Sequence, residues 1–154
     1  MSPTSKPAKK ATRKKAPARE PSEPGIDELR FMIESAFERR TTLTPEEMEG
    51  STRPVVERVI EGLETGEFRV AEPDGNGGWR VNEWLKKAVL LYFRTQDMEL
   101  VESYPAPFWD KIPARFAEFD ESAFRKLGVR VVPGTIARRG THFGRDVVLF
   151  VKLR

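Results

Sequence analysis

Trp79-Arg80-Val81-Asn82-Glu83-Trp84-Leu85-Lys86-Lys87-Ala88-Val89-Leu90-Leu91-Tyr92-Phe93-Arg94 is the most apolar stretch of the chain and holds two of its three tryptophans. Ala88 through Phe93 are six apolar residues in a row, more than one helical turn. A helix there is apolar on every side, the mark of a buried element. A run this short also suits a buried strand, and periodicity alone does not separate the two. Asn82 makes a good helix start, and Leu, Lys and Ala are strong helix formers. The stretch therefore predicts a central helix over Asn82–Arg94, entered from a short strand at Trp79–Val81.

Upstream, Ile26, Leu29, Ile33, Ala36 and Phe37 recur at spacings of three and four, which predicts a helix over Ile26–Arg40 with one apolar stripe. Asp27 and Glu28 fall in its first turn and Arg39 and Arg40 in its last, as the helix dipole prefers. Thr44-Pro45-Glu46-Glu47 reads as a capping box with proline at the first helical position. A further helix is expected over Thr52–Thr65, with Val55, Val56, Val59, Ile60 and Leu63 buried and Gly66 ending it. Phe68–Glu72 and Trp79–Val81 alternate like strands, and Pro73-Asp74-Gly75-Asn76-Gly77-Gly78 between them reads as a hairpin turn. That glycine-rich loop has neither Gly-x-Gly-x-x-Gly nor Walker spacing, so no phosphate cradle is expected.

Downstream the texture changes. Tyr104-Pro105-Ala106-Pro107-Phe108-Trp109 is expected to lie irregularly across the helices with its rings as anchors; the alternative is that exposed rings there form a protein interface. Asp120 is placed to cap a short helix through Leu127, closed by Gly128. Val129–Pro133 then reads as a strand with Arg130 as its one charged residue. From Ala137 onward, Phe143 and Leu149 fall at matching points of a six-residue spacing, a weak hexapeptide signal of a parallel β-helix.

Composition limits the chemistry. There is no cysteine and a single histidine, His142, in 154 residues. Thiolate sites and multi-histidine metal sites are excluded, and a Ser-His-Asp arrangement is disfavoured. His142 reads as a surface or packing residue, and Glu46, Glu47, Asp120 and Glu121 are accounted for by capping. Residues 1–25 hold seven of the 27 basic side chains and two of the 24 acidic ones, so the net charge of +3 belongs to that segment. Its Lys, Pro, Ala, Ser and Thr predict a disordered tail, solvated or binding nucleic acid weakly and without specificity. No run reaches the length of a membrane span, and no signal-like apolar segment stands at the N-terminus, so a cytoplasmic location is expected.

Several segments in order resemble the bacterial tetrahydrodipicolinate N-succinyltransferases. They are Ile33-Glu34-Ser35-Ala36-Phe37-Glu38-Arg39-Arg40, Phe68–Glu72, Trp84–Leu91 with Phe93-Arg94, Asp110-Lys111-Ile112-Pro113, Gly128–Pro133 and Phe143-Gly144-Arg145-Asp146. The resemblance implies an α+β chain in three parts: the tail over 1–25, a small helical N-terminal domain with a β-hairpin over 26–127, and the first rungs of a left-handed parallel β-helix over 128–154. It implies a homotrimeric acyltransferase of lysine and diaminopimelate biosynthesis that moves succinyl from succinyl-CoA to its dicarboxylate substrate. Arg130 matches an arginine that binds that dicarboxylate, and a guanidinium suits the task because it holds a carboxylate with two parallel bonds. No catalytic, metal or cofactor-binding residue is carried over, and the CoA site is expected outside this chain. The family continues past residue 154 with more coil, so the expectation is a truncated chain, inactive alone. The alternative is a non-catalytic interaction module that associates with a full-length trimeric enzyme.

Overall fold

Glu83–Thr95 is helical, and the residues that hold it are those of one face: Trp84, Leu85, Ala88, Leu91 and Tyr92 are buried. The computed structural model describes residues 24–102 and 106–151. Within them the order is α1 (Ile26–Glu38), α2 (Pro45–Glu47), a π-helical turn (Met48–Thr52), α3 (Arg53–Thr65), β1 (Ala71–Pro73), β2 (Trp79–Val81), α4 (Glu83–Thr95), β3 (Glu99–Val101), β4 (Phe108–Asp110), α5 (Glu121–Leu127), β5 (Val129–Val131) and β6 (Val147–Leu149). The architecture is α+β. The expected tail lies outside the described residues apart from Pro24 and Gly25, as do Tyr104, Pro105 and the last three residues.

The core forms where α4 crosses α1 and α3. Leu29, Ile33 and Ala36 come from α1, and Val56, Val59, Ile60 and Leu63 from α3. Each fully buried aliphatic or aromatic side chain contributes about 1.5–3 kcal/mol, so this three-helix contact carries the fold. The central helix is not apolar all round, as its sequence suggests. Leu90 is exposed and Val89 and Phe93 only half-buried, because two partner helices cover little more than half of a third. Ile26 is likewise exposed, and α1 ends at Glu38, so Arg39 and Arg40 sit beyond its last turn.

Local signals set the helix boundaries. Thr44 accepts from the Glu47 amide at 3.2 Å while Glu47 takes the Thr44 amide at 2.9 Å, the reciprocal capping box expected there. That exchange holds the Glu47 carboxyl below its usual range, chiefly through the Thr44 backbone. Gly66 ends α3 in the left-handed region at φ 81°. Asn82 precedes α4 without capping it: its amide donates to the Arg69 carbonyl (2.8 Å) and to Glu72 (3.0 Å), tying the helix start to the hairpin.

The first strand begins three residues later than the alternation suggests. Phe68 turns inward instead, its N–H bonding the Gly62 carbonyl at 3.0 Å and its ring meeting Trp84 edge-on at 5.6 Å. The turn after it is closed by Asp74, which accepts from the amides of Asn76 (2.8 Å) and Gly78 (2.9 Å). The hairpin pairs Glu72 with Arg80 on one face and leaves Ala71, Pro73, Trp79 and Val81 exposed on the other. The proline-aromatic segment also departs from expectation. Phe108 and Trp109 do not anchor onto the helices; they form β4, antiparallel to β3, and Trp109 is 64% exposed opposite an exposed Leu100. Among the described residues no helix is long and apolar enough to cross a membrane.

Candidate functional site

The site of interest grows out of two consecutive local signals. Asp120 accepts from the Ala123 amide at 2.7 Å and starts α5, and Gly128 stops it at φ 72°. The chain leaves directly into β5. Eighteen residues later β6 lies beside it in parallel, Val129 against Val147, Arg130 against Val148 and Val131 against Leu149. A parallel pair needs a crossover rather than a tight turn, and here the crossover returns after three six-residue units. Asp146, at φ 62°, donates its N–H to the Gly128 carbonyl at 2.7 Å, and Val132 donates to Leu149 at 2.9 Å, so the ladder extends beyond both strand ends. The expected strand over Val129–Pro133 is shorter than read, with Pro133 outside it.

Side chains alternate across this pair. Val129, Val131, Val147 and Leu149 are half-buried on one face, and Arg130 and Val148 are exposed on the other. Among the described residues no carboxylate pairs with Arg130. Arg145 approaches the same strand: its Nε lies 3.7 Å from where a side chain at Gly128 would begin. Phe143, one hexapeptide before Leu149, is half-buried and stacks on Phe116 at 5.5 Å, within a cluster that includes Phe119 and Phe124.

The crossover itself is gripped by the helical domain. Glu64, in the last turn of α3, is 9% exposed. One of its carboxylate oxygens accepts from Arg139 Nε at 2.6 Å and from the Gly140 amide at 2.9 Å, with Arg115 Nε 3.7 Å away. Burial is the largest single influence and opposes the charge of Arg139, but the hydrogen bond and the charge of Glu64, with smaller contributions from Tyr92 and Glu61, together outweigh it and raise the guanidinium's pKa. The Glu64 carbonyl lies 2.9 Å from His142 Nδ1, which donates to it when that nitrogen carries the proton. His142 is thus the exposed packing residue expected, its ring against Gly66. Neither Glu64, Arg139 nor Arg145 stood out as a site residue in the sequence. The one available hint was an acid in a helix's last turn, where the dipole disfavours it.

No group of three metal-ligating side chains exists among the described residues. Among the described residues, what the site offers is an open guanidinium on a strand face, suited to an anionic ligand, with no carboxylate paired to it.

A family model described as "Tetrahydrodipicolinate N-succinyltransferase N-terminal" matches residues 28–95. Curated relatives named 2,3,4,5-tetrahydropyridine-2,6-dicarboxylate N-succinyltransferase are similar over more of the chain. That of Xylella fastidiosa (strain 9a5c) is 68% identical over 117 residues, 76% of this chain and 42% of the relative. That of Shewanella pealeana is 48% identical over 124 residues, 80% of this chain and 45% of the relative, and that of Histophilus somni (strain 2336) 44% over the same shares. The chain spans less than half the length of these relatives.

Proposed function

We propose that the chain is the N-terminal portion of a tetrahydrodipicolinate N-succinyltransferase, an acyltransferase, on the strength of the family-model match over residues 28–95 and the 68% identity to the Xylella fastidiosa relative. The whole enzyme moves succinyl from succinyl-CoA to the amino group of ring-opened tetrahydrodipicolinate, on the route to diaminopimelate and lysine. In this reading the parallel pair is the first rung of a left-handed β-helix, and neighbouring helices of a homotrimer form the active sites between them. The observation that carries it is the 18-residue register of the parallel pair β5 and β6, which follows α5 downstream of the family-matched residues 28–95.

Arg130 is assigned to one carboxylate of the substrate. The strand fixes its backbone, its exposed face leaves the fork open, and a planar guanidinium binds a carboxylate through two parallel charge-assisted bonds. In this reading the 154-residue chain alone binds a dicarboxylate without turning over, since among the described residues no carboxylate is paired with Arg130. The experiment is an NMR titration with pimelate, a seven-carbon dicarboxylate, together with an assay on succinyl-CoA and tetrahydrodipicolinate. Expected are shifts at the Arg130 amide that vanish in Arg130→Gln, and no acyl transfer. Turnover by this chain, or pimelate binding that survives Arg130→Gln, refutes the assignment.

A second reading has its own observation. The exposed Leu100–Trp109 pair and the exposed Val148, Phe150 and Val151 are apolar faces fit for burial in an assembly. A non-catalytic module that joins a longer trimeric enzyme would use them. Co-purification with a full-length relative supports it; separate elution of the two proteins rejects it.

A further inference from the structure

The helical core and the crossover that leads into β6 are distant in sequence, and the Glu64 side chain joins them with charge. We propose that Glu64 is a positioning residue that clamps residues 139–142 to the end of α3, and so holds β6 in register beside the strand that carries Arg130. The clamp's purpose rests on the reading of Arg130 given above; its existence does not.

Four observations converge on it. Glu64 uses both of its polar groups on the same segment: the carboxylate on Arg139 and Gly140, the carbonyl on His142. Two guanidiniums share that one buried carboxylate, since the Arg115 side chain is only 14% exposed and its Nε has no hydrogen-bond partner. The backbone is shaped for close approach at both contacts. Gly140 (φ 87°) lies against Ile60, and Gly66 (φ 81°) against the His142 ring, where an added side chain would strain the turn. Finally, the gripped segment is locked from its other side: Arg115 N–H to the Ala137 carbonyl at 2.7 Å, Arg139 N–H to Pro113 at 3.2 Å, and Arg138 to Asp110 at 2.6 Å. Five residues after His142 the chain enters β6.

The charge matters more than the shape. Glutamine at position 64 could still accept from Gly140, but its amide cannot neutralise Arg139 and Arg115. Removing Glu64's charge leaves Arg139, a third exposed, and the mostly buried Arg115 uncompensated, which is costly in proportion to their burial. The hydrophobic contacts among α1, α3 and α4 do not involve the Glu64 carboxylate, so the loss falls on the crossover and on β6.

The test uses the full 154-residue chain and amide hydrogen exchange by NMR. In Glu64→Gln, the amides of Asp146 and Val132 are expected to exchange about tenfold faster or more, the loss of one charge-assisted hydrogen bond. Amides in the middle of α4 stay within about twofold, because the opening is local. The single histidine supplies a signature that general destabilisation would not produce. Ring nitrogen shifts of neutral His142 should report a proton on Nδ1 in the native chain and a mixture of tautomers in Glu64→Gln. Arg139→Gln should reproduce both effects, and the double variant should be no worse than either single one. Unchanged exchange at Asp146 and Val132 overturns the clamp, as does equal acceleration throughout α4 or a native His142 protonated on Nε2. Absence of pimelate binding by the native chain removes the Arg130 role alone, and the exchange pattern still decides the clamp.

Discussion

Gly62 sits in the middle of α3, where alanine ordinarily improves a helix by about 0.8–1.0 kcal/mol. Here the opposite sign is expected. A side chain built at Gly62 falls under 3.0 Å from two ring carbons of Phe68. The ring has nowhere to go: it is buried, it meets Trp84 edge-on at 5.6 Å, and its own N–H is bonded to the Gly62 carbonyl at 3.0 Å. Forcing a methyl into a filled site costs about 1–3 kcal/mol. Displacing the ring forfeits a further 0.5–1.5 kcal/mol or so of aromatic contact. Set against the helix gain, Gly62→Ala should lose about 1–3 kcal/mol. At a urea dependence of about 1–3 kcal/mol per molar, the midpoint falls by about 1 M with an unchanged slope. Two companions isolate the cause. Gly50→Ala, in the π-turn with nothing within 4 Å, should be neutral or stabilising by up to about 1 kcal/mol. In a Phe68→Ala background the clash is gone, and Gly62→Ala should turn stabilising. A raised midpoint for Gly62→Ala in the native background refutes the reasoning.

The two tryptophans of the central stretch should separate cleanly in the same urea assay: Trp84→Ala costs about 3–5 kcal/mol, while Trp79→Ala, at a side chain 70% exposed, stays within about 0.5 kcal/mol. Hairpin stability should also depend on pH. Hydrogen bonds from Arg80 and then Asn82 hold the Glu72 carboxyl below its usual 4.5. A depressed folded-state pKa contributes stability that is present above 4.5 and is lost as pH falls through the lowered value. The protection of the Asn82 amide, bonded to the Val70 carbonyl, measured against its intrinsic exchange rate at each pH, should therefore fall as the pH is taken below 4.5, and Glu72→Gln should abolish that fall.

The fold was legible where one residue type answers one local need. Thr44 with Glu47, Asp120, Gly66 and Gly128 each satisfy or terminate a helix end by chemistry that needs no distant partner, and each is found doing so. The misreadings share the opposite cause. Phe68 alternates like a strand residue, but the gap left by Gly62 and the flank of Trp84 draw it into the core, and the strand starts after it. Phe108 and Trp109 have the composition of anchors, yet a β pairing with Glu99–Val101 turns them outward. In both cases a tertiary partner overrode a sound local pattern.

Arg130 and Glu64 become candidates by different routes. Arg130 is singled out by the family resemblance of Gly128–Pro133; the strand pattern alone gives only an outward-facing arginine, which alternation places on the exposed face. Glu64 breaks no pattern except the preference of helix ends for positive charge, and it does so because the positive charge arrives from Arg139, 75 residues away. The unfavourable end of the α3 dipole is thereby neutralised by the same guanidinium that anchors the crossover. A carboxylate at that position stabilises the helix only once the coil has docked. With that coupling the α3 terminus and the strand face bearing Arg130 form one cooperative unit, although the core cluster of the described residues includes none from β5 or β6, and a change at either should be felt at the other.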